Sequence, residues 1–168
     1  MELTFREEVA KSFMEERFLP ALHKLISTIN PKEYEKWGGN ACRQTAIFGS
    51  LYLERLLPEY TWSMWDGIFN DIVNDRKVTY NHAWLYGVNK ENGKRLLVDL
   101  SRVHHERLFI VVTGNRYPKD HPSYKDMVEI SRKKLNAREL MKLPEYYTDL
   151  KVGEFLTKLE AFMAEDAK

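Results

Sequence analysis

An α+β fold, with helices packed on a small antiparallel sheet, is what this 168-residue sequence predicts. Two patterns carry that expectation. Apolar residues recur at three- and four-residue steps near both ends of the chain, as on one face of a helix. Between them, short apolar runs alternate at period two and are separated by turn residues, as in strands. No internal repeat, low-complexity tract or Gly/Ser linker divides the chain, so residues 1–168 read as a single domain. It comprises N-terminal helices in 1–30, a mixed core in 37–113 and C-terminal helices in 120–168.

Residues 4 to 29 are expected to be helical, because Phe5, Val9, Phe13, Phe18, Leu22, Leu25, Ile26 and Ile29 keep the helical step. Pro20 should kink or divide this segment, and Asn30-Pro31 should stop it. A second helix is expected over 41–57, with Asn40 as its N-cap and Pro58 closing it. The aromatic-rich stretch 59–76, with Trp62, Trp65 and Phe69, fits either a short helix or a lid. Residues 78–88 and 94–101 read as antiparallel strands joined around Asn89-Lys90-Glu91-Asn92-Gly93. The continuous apolar run Leu108-Phe109-Ile110-Val111-Val112 predicts a central strand at about 107–113. Residues 123–142 look like an amphipathic helix ended by Pro144, and a last helix is expected from about 150 to 164.

Composition narrows the function classes. With 26 basic and 25 acidic residues the formal net charge is +1, which gives no electrostatic reason to expect nucleic acid or an anionic membrane as principal partner. A single cysteine excludes an intrachain disulfide framework and suits a reducing compartment. The charged start, Met1-Glu2-Leu3-Thr4-Phe5-Arg6-Glu7-Glu8, does not resemble a signal peptide, and no run reaches the roughly 18 apolar residues of a membrane span. The expectation is a cytoplasmic protein.

The residues that carry chemistry are Cys42, His82 and Asp99. Cys42 follows Trp37-Gly38-Gly39-Asn40-Ala41 and opens the expected second helix, whose positive end favours a thiolate. His82 and Asp99 fall on neighbouring expected strands. If those strands pair with an odd sum of position numbers, the two side chains share a face, and a link longer than a tight Asn92-Gly93 turn brings them close together. A thiol, an imidazole to exchange its proton and a carboxylate to orient that imidazole suffice for acyl transfer. Taken alone, a lone thiol is ordinarily an inert core residue and a strand histidine a satisfied one. Asp99 is harder to set aside, since a carboxylate amid Leu96, Leu97, Val98 and Leu100 needs a partner.

The segment Asn40 to Arg102 resembles the core of the transglutaminase-like superfamily, within the wider papain-like group of thiol enzymes. The resemblance lies in Asn40-Ala41-Cys42-Arg43 at a helix start, His82-Ala83-Trp84 in one strand and Val98-Asp99-Leu100-Ser101 in the next. It implies Cys42 as nucleophile, His82 as acid/base and Asp99 as the orienting carboxylate. Trp37, Gly39, Asn40 and Trp84 are the candidates for substrate or oxyanion contact. The implied reaction is cleavage or exchange of an amide or isopeptide bond in a protein or peptide, by hydrolysis, deamidation or transamidation, without metal or cofactor. A non-catalytic protein-binding module of the same fold is the rival expectation. His104-His105-Glu106 and His121 make a poor metal site, because adjacent strand residues point to opposite faces. The basic run Arg132-Lys133-Lys134 with Arg138 reads as a solvated helix face.

Overall fold

Thr4 opens the helical half of the chain with a capping box. Its hydroxyl accepts the Glu7 N–H at 3.2 Å, and the Glu7 carboxylate accepts the Thr4 N–H at 2.9 Å. Helix α1 (Phe5–Ser12) then runs through a π-helical segment, Phe13–Phe18, into α2 (Leu19–Ile29). The widened turn accommodates Pro20, which has no N–H to donate and whose ring crowds the preceding turn. Leu19 N–H reaches back five residues to Met14 O, so the break expected at Pro20 is a bulge in a continuing rod. Asn30 ends α2, and α3 (Pro31–Lys36) follows. The computed structural model describes residues 2–36, 38, 40–101, 106–136 and 152–166. Trp37, Gly39, the His104-His105 pair, Arg138, Leu150 and the part of the expected helix beyond 136 lie outside the described residues.

Helix α4 (Cys42–Leu56) is the central element. Its first intrahelical bond runs from Thr45 N–H to Ala41 O at 2.8 Å, so Ala41 holds the N-cap position expected for Asn40. Asn40 acts one step earlier, its Oδ1 accepting the Cys42 N–H at 3.2 Å. Residues on every side of α4 are buried, from Gln44 through Ser50 and on to Leu53. Gly49 shows why: a Cβ there would lie 3.2 Å from both Leu85 on the sheet and Met14 on the N-terminal helices. α4 is thus clamped between two layers, and Phe48 stacks on Phe155 of α5 (Val152–Asp166) at 4.4 Å. That last helix falls where expected, burying Phe155, Leu159 and Met163.

Among the described residues, five antiparallel strands form one sheet in the order β4-β3-β2-β1-β5. They are β1 (Tyr60–Val73), β2 (Arg76–Asn89), β3 (Arg95–Asp99), β4 (Leu108–Val112) and β5 (Val128–Lys134). Most of the stretch 59–76, from Tyr60 to Val73, is therefore a long strand and neither helix nor lid. Trp62 and Met64 pack into the helix-side core while Trp65 and Phe69 pack into a second core on the other side. Apolar residues on both faces erase the period-two signal. Asn74 and Asp75, with φ of 51° and 63°, make the tight turn from β1 into β2.

Two further expectations are corrected. The apolar run at 108–112 is an edge strand, not a central one. It reads as continuous because Phe109 and Val111 face the helix-side core while Leu108, Ile110 and Val112 face the second. Residues 128–134, assigned from sequence to a helix, form β5, whose backbone pairs with β1 from Trp65↔Lys134 to Asn70↔Val128. Val128 and Ile130 stay 59% and 53% exposed, so their spacing records no buried helical face. Pairing with β1 overrides the local pattern there, and Arg132-Lys133-Lys134 lies on a strand.

The second core consists of Phe69, Trp84, Leu97, Leu108, Val112, Tyr124 and Met127, with Tyr117 packed against it. It is closed by the segment 113–127 folding back across the sheet. Among the described residues, no helix is long and apolar enough to cross a membrane.

Candidate active site

The expected longer link between β2 and β3 is present. Asn89 N–H donates to Lys94 O at 2.8 Å, leaving Lys90-Glu91-Asn92-Gly93 as the loop, and Gly93 takes the left-handed φ of +72° that such a turn requires. The register follows: Leu85 faces Val98 and Tyr86 faces Leu97. Continued one step, it sets Trp84 across from Asp99, with His82 two residues along on the same face. The β2–β3 ladder stops at Leu85↔Val98 whereas β1–β2 pairing continues to Val73↔Arg76. His82 therefore stands just beyond the end of β3, where Asp99 reaches it diagonally.

There His82 Nε2 and Asp99 Oδ1 are 2.6 Å apart, with both side chains almost wholly buried. The Cys42 thiol, half-buried at the start of α4, lies close enough to the same imidazole to raise its pKa. With Nε2 taken by Asp99, Nδ1 is the ring nitrogen left for sulfur. The structure thus brings the three residues together in the order thiol, imidazole, carboxylate. Burial alone would push the His82 pKa down. The charge and hydrogen bond of Asp99, followed by those of Cys42, outweigh it and raise the imidazole to about 9. Both neighbours therefore favour the protonated ring at neutral pH.

Four side chains to which the sequence assigned no role, Tyr124, Tyr117, Arg43 and Asp66, complete the surroundings. Tyr124, from the segment covering the second core, donates its hydroxyl to the other Asp99 oxygen, Oδ2. Its ring stacks on Tyr117, which meets Trp84 edge-on at 5.8 Å. Arg43, next to the thiol, donates from Nε to Asp66 Oδ2 of β1 at 3.0 Å and so ties the tip of α4 to the sheet. No periodicity links residue 124 to residue 99; only Asp66 within an aromatic run carried a visible signal.

Of the contact candidates, Asn40 holds the Cys42 N–H as described, and Trp84 stacks nearly parallel to His82, with ring centroids 6.3 Å apart. The Trp84 Nε1 atom is buried and has no hydrogen-bond partner among the described residues. Trp37 and Gly39 lie outside the described residues. His121 Nδ1 accepts the Ser123 N–H at 3.1 Å, and no group of metal-ligating side chains occurs among the described residues. No family model, curated protein or solved structure matches this chain.

Proposed function

We propose that the chain is a transglutaminase-like thiol enzyme that transfers an acyl group from an amide or isopeptide bond of a protein or peptide. The observation that carries this reading is a buried imidazole bonded at Nε2 to a carboxylate, with the lone thiol close enough to raise its pKa. Cys42 sulfur, as thiolate, attacks the carbonyl carbon, forming a C–S bond and placing charge on the oxygen. The amide end of α4 favours negative charge at this point, and the unpartnered Trp84 N–H is a donor close to His82. The C–N bond then breaks as His82 gives its proton to the leaving nitrogen. Water or an amine next attacks the thioester, His82 takes up its proton, and the thiol is released. Asp99 holds the ring and steadies its charge throughout, itself held by Tyr124.

Hydrolysis, deamidation and transamidation share the first half of this sequence and differ in the second nucleophile. Neither half calls for metal or cofactor. A thiol that must stay reduced suits the cytoplasm.

Acylation is tested directly with p-nitrophenyl acetate. The expected result is a burst of p-nitrophenolate equal to the enzyme present, with a single acetyl adduct on the peptide bearing Cys42. Acetylation scattered over lysines, with no burst and an unmodified Cys42, refutes the proposal.

A further inference from the structure

Strand β2 keeps one edge open beside the reacting pair. β1 pairs with it along its whole length, from Tyr60↔Asn89 to Val73↔Arg76, whereas β3 pairs only from Leu85↔Val98 to Val88↔Arg95. Among the described residues, no strand lies on the β3 side of residues 76–84. The Asn74-Asp75 turn closes on Val73↔Arg76, so even-numbered residues of β2 exchange backbone bonds with β1. Odd-numbered residues turn theirs the other way, as Asn89 N–H does toward Lys94 O. Lys77, Thr79 and Asn81 therefore present N–H and C=O groups along the open edge, with no backbone partner among the described residues. Their side chains are exposed.

The thiol reaches the imidazole around this edge. Cys42 packs with the helix-side core, while His82 shares the opposite face with Trp84. Pairing of β1 with β2 runs unbroken through Gly67↔His82, which leaves the end of β3 as the place where the two meet. An unpaired edge is a template for another extended chain. The formal charges of this one, Arg76 and Lys77, are both basic, and no acid lies among residues 76–84. A second copy of β2 would bring the same two cations, whereas a segment carrying a carboxylate complements them.

We propose that the open edge of β2 takes up an extended segment of the acyl-donor protein as an added antiparallel strand. The segment pairs its backbone with Thr79 and Asn81 and sets an acidic side chain against Lys77. Antiparallel to β2, it runs with its N-terminal end toward His82, so the reacting bond lies on that side. Resting on the acyl-transfer reading for its chemistry, this pairing narrows the substrate to a strand-forming stretch held through its backbone.

The test is a titration of isotopically labelled Cys42→Ala protein with the peptide acetyl-Thr-Val-Thr-Val-Glu-amide. Its threonines would lie opposite Asn81 and Thr79, its glutamate opposite Lys77 and its valines opposite Tyr80 and Val78. Saturable downfield shifts and slowed hydrogen exchange are expected at the Thr79 and Asn81 amides. Methylating the backbone nitrogen of the central threonine, which would face Thr79, should weaken binding about tenfold or more. Methylating that of the first valine, which would point away from β2, should change it by less than about twofold. Equal loss from both methylations, or no saturable shift at these amides, overturns the proposal. So do shifts that grow with protein concentration in the absence of peptide, which would assign the edge to a second copy. The protein is the same in every titration, so a folding defect cannot imitate the pattern. Because no reaction occurs in this variant, binding of the peptide beside a Cys42 that proves inert would refute the chemistry and leave the pairing standing.

Discussion

Tyr124 donates its hydroxyl to Asp99 Oδ2, on the side of the carboxylate opposite the oxygen that holds His82. The carboxylate is thus gripped from two directions, by β2 and by the segment that covers the second core. Replacing Tyr124 with Phe keeps the ring packing on Tyr117 and removes this donor. A hydrogen bond to a buried charged group contributes roughly 1.5–3 kcal/mol, so Tyr124→Phe should lower the urea unfolding free energy by about that amount. An unchanged midpoint would show that the phenol contributes shape alone.

Asp99→Asn removes the charge that opposes burial at His82. The imidazole is lifted to about 9 against a desolvation that pulls it down, with Asp99 foremost among the lifting groups. Without that charge, the His82 ring should titrate below its ordinary value of 6.5. NMR titration of the ring protons reads this directly. Alkylation of Cys42 at neutral pH should slow by about tenfold or more in the same variant, since the neutral ring no longer favours a thiolate.

The raised His82 pKa also fixes the alkaline behaviour of the fold. A group that binds its proton more tightly when folded contributes stability below its unfolded pKa and loses that contribution as pH rises through the folded value. Stability linked to His82 is accordingly full below about pH 6.5 and lost as pH passes through about 9. Urea midpoints measured from pH 6 to 10 should fall across that window. His82→Gln should flatten the fall, and an equal fall in that variant would assign the effect elsewhere.

Far from the thiol, Lys94 and Glu7 form a buried pair at 2.6 Å, with Tyr60 donating to the second Glu7 oxygen at 2.6 Å. This ties the start of α1 to the β2–β3 link that sets the register of His82 and Asp99. Lys94→Met strands the Glu7 carboxylate and should cost about 3–5 kcal/mol. Burial raises the Glu7 pKa, but Lys94, Tyr60 and Thr4 together bring it below 4.5. Its contribution is therefore present above that pH and lost as pH falls below it. Thermal unfolding at pH 7 and pH 3 should show a smaller difference for Lys94→Met than for the parent chain.

The sheet that carries His82 and Asp99 was partly legible in the sequence. Parity placed His82 and Asp99 on one face, and Asn89 to Gly93 marked the link that brings them together, because alternation and turn residues are local properties. Strand β1 was hidden because Trp62 and Trp65 serve opposite cores, so no single face is polar. Its turn signal, Asn74-Asp75, stood in the sequence and went unread as the hairpin it closes. Strand β5 was read as a helix because an edge strand beside β1 buries little and keeps no clear period. Tyr124 and the Arg43–Asp66 pair were out of reach for a different reason. Each joins residues remote in sequence through packing, which no local pattern encodes.

The rate of Cys42 alkylation by iodoacetamide between pH 6 and 7 tests the central claim most directly. A thiol activated by an adjacent imidazolium should react well above the rate of free cysteine, whose ordinary pKa of about 8.5 leaves little thiolate there. His82→Ala should return it to the free-thiol rate or below. A Cys42 that reacts no faster than free cysteine, and does not respond to His82→Ala, contradicts the account.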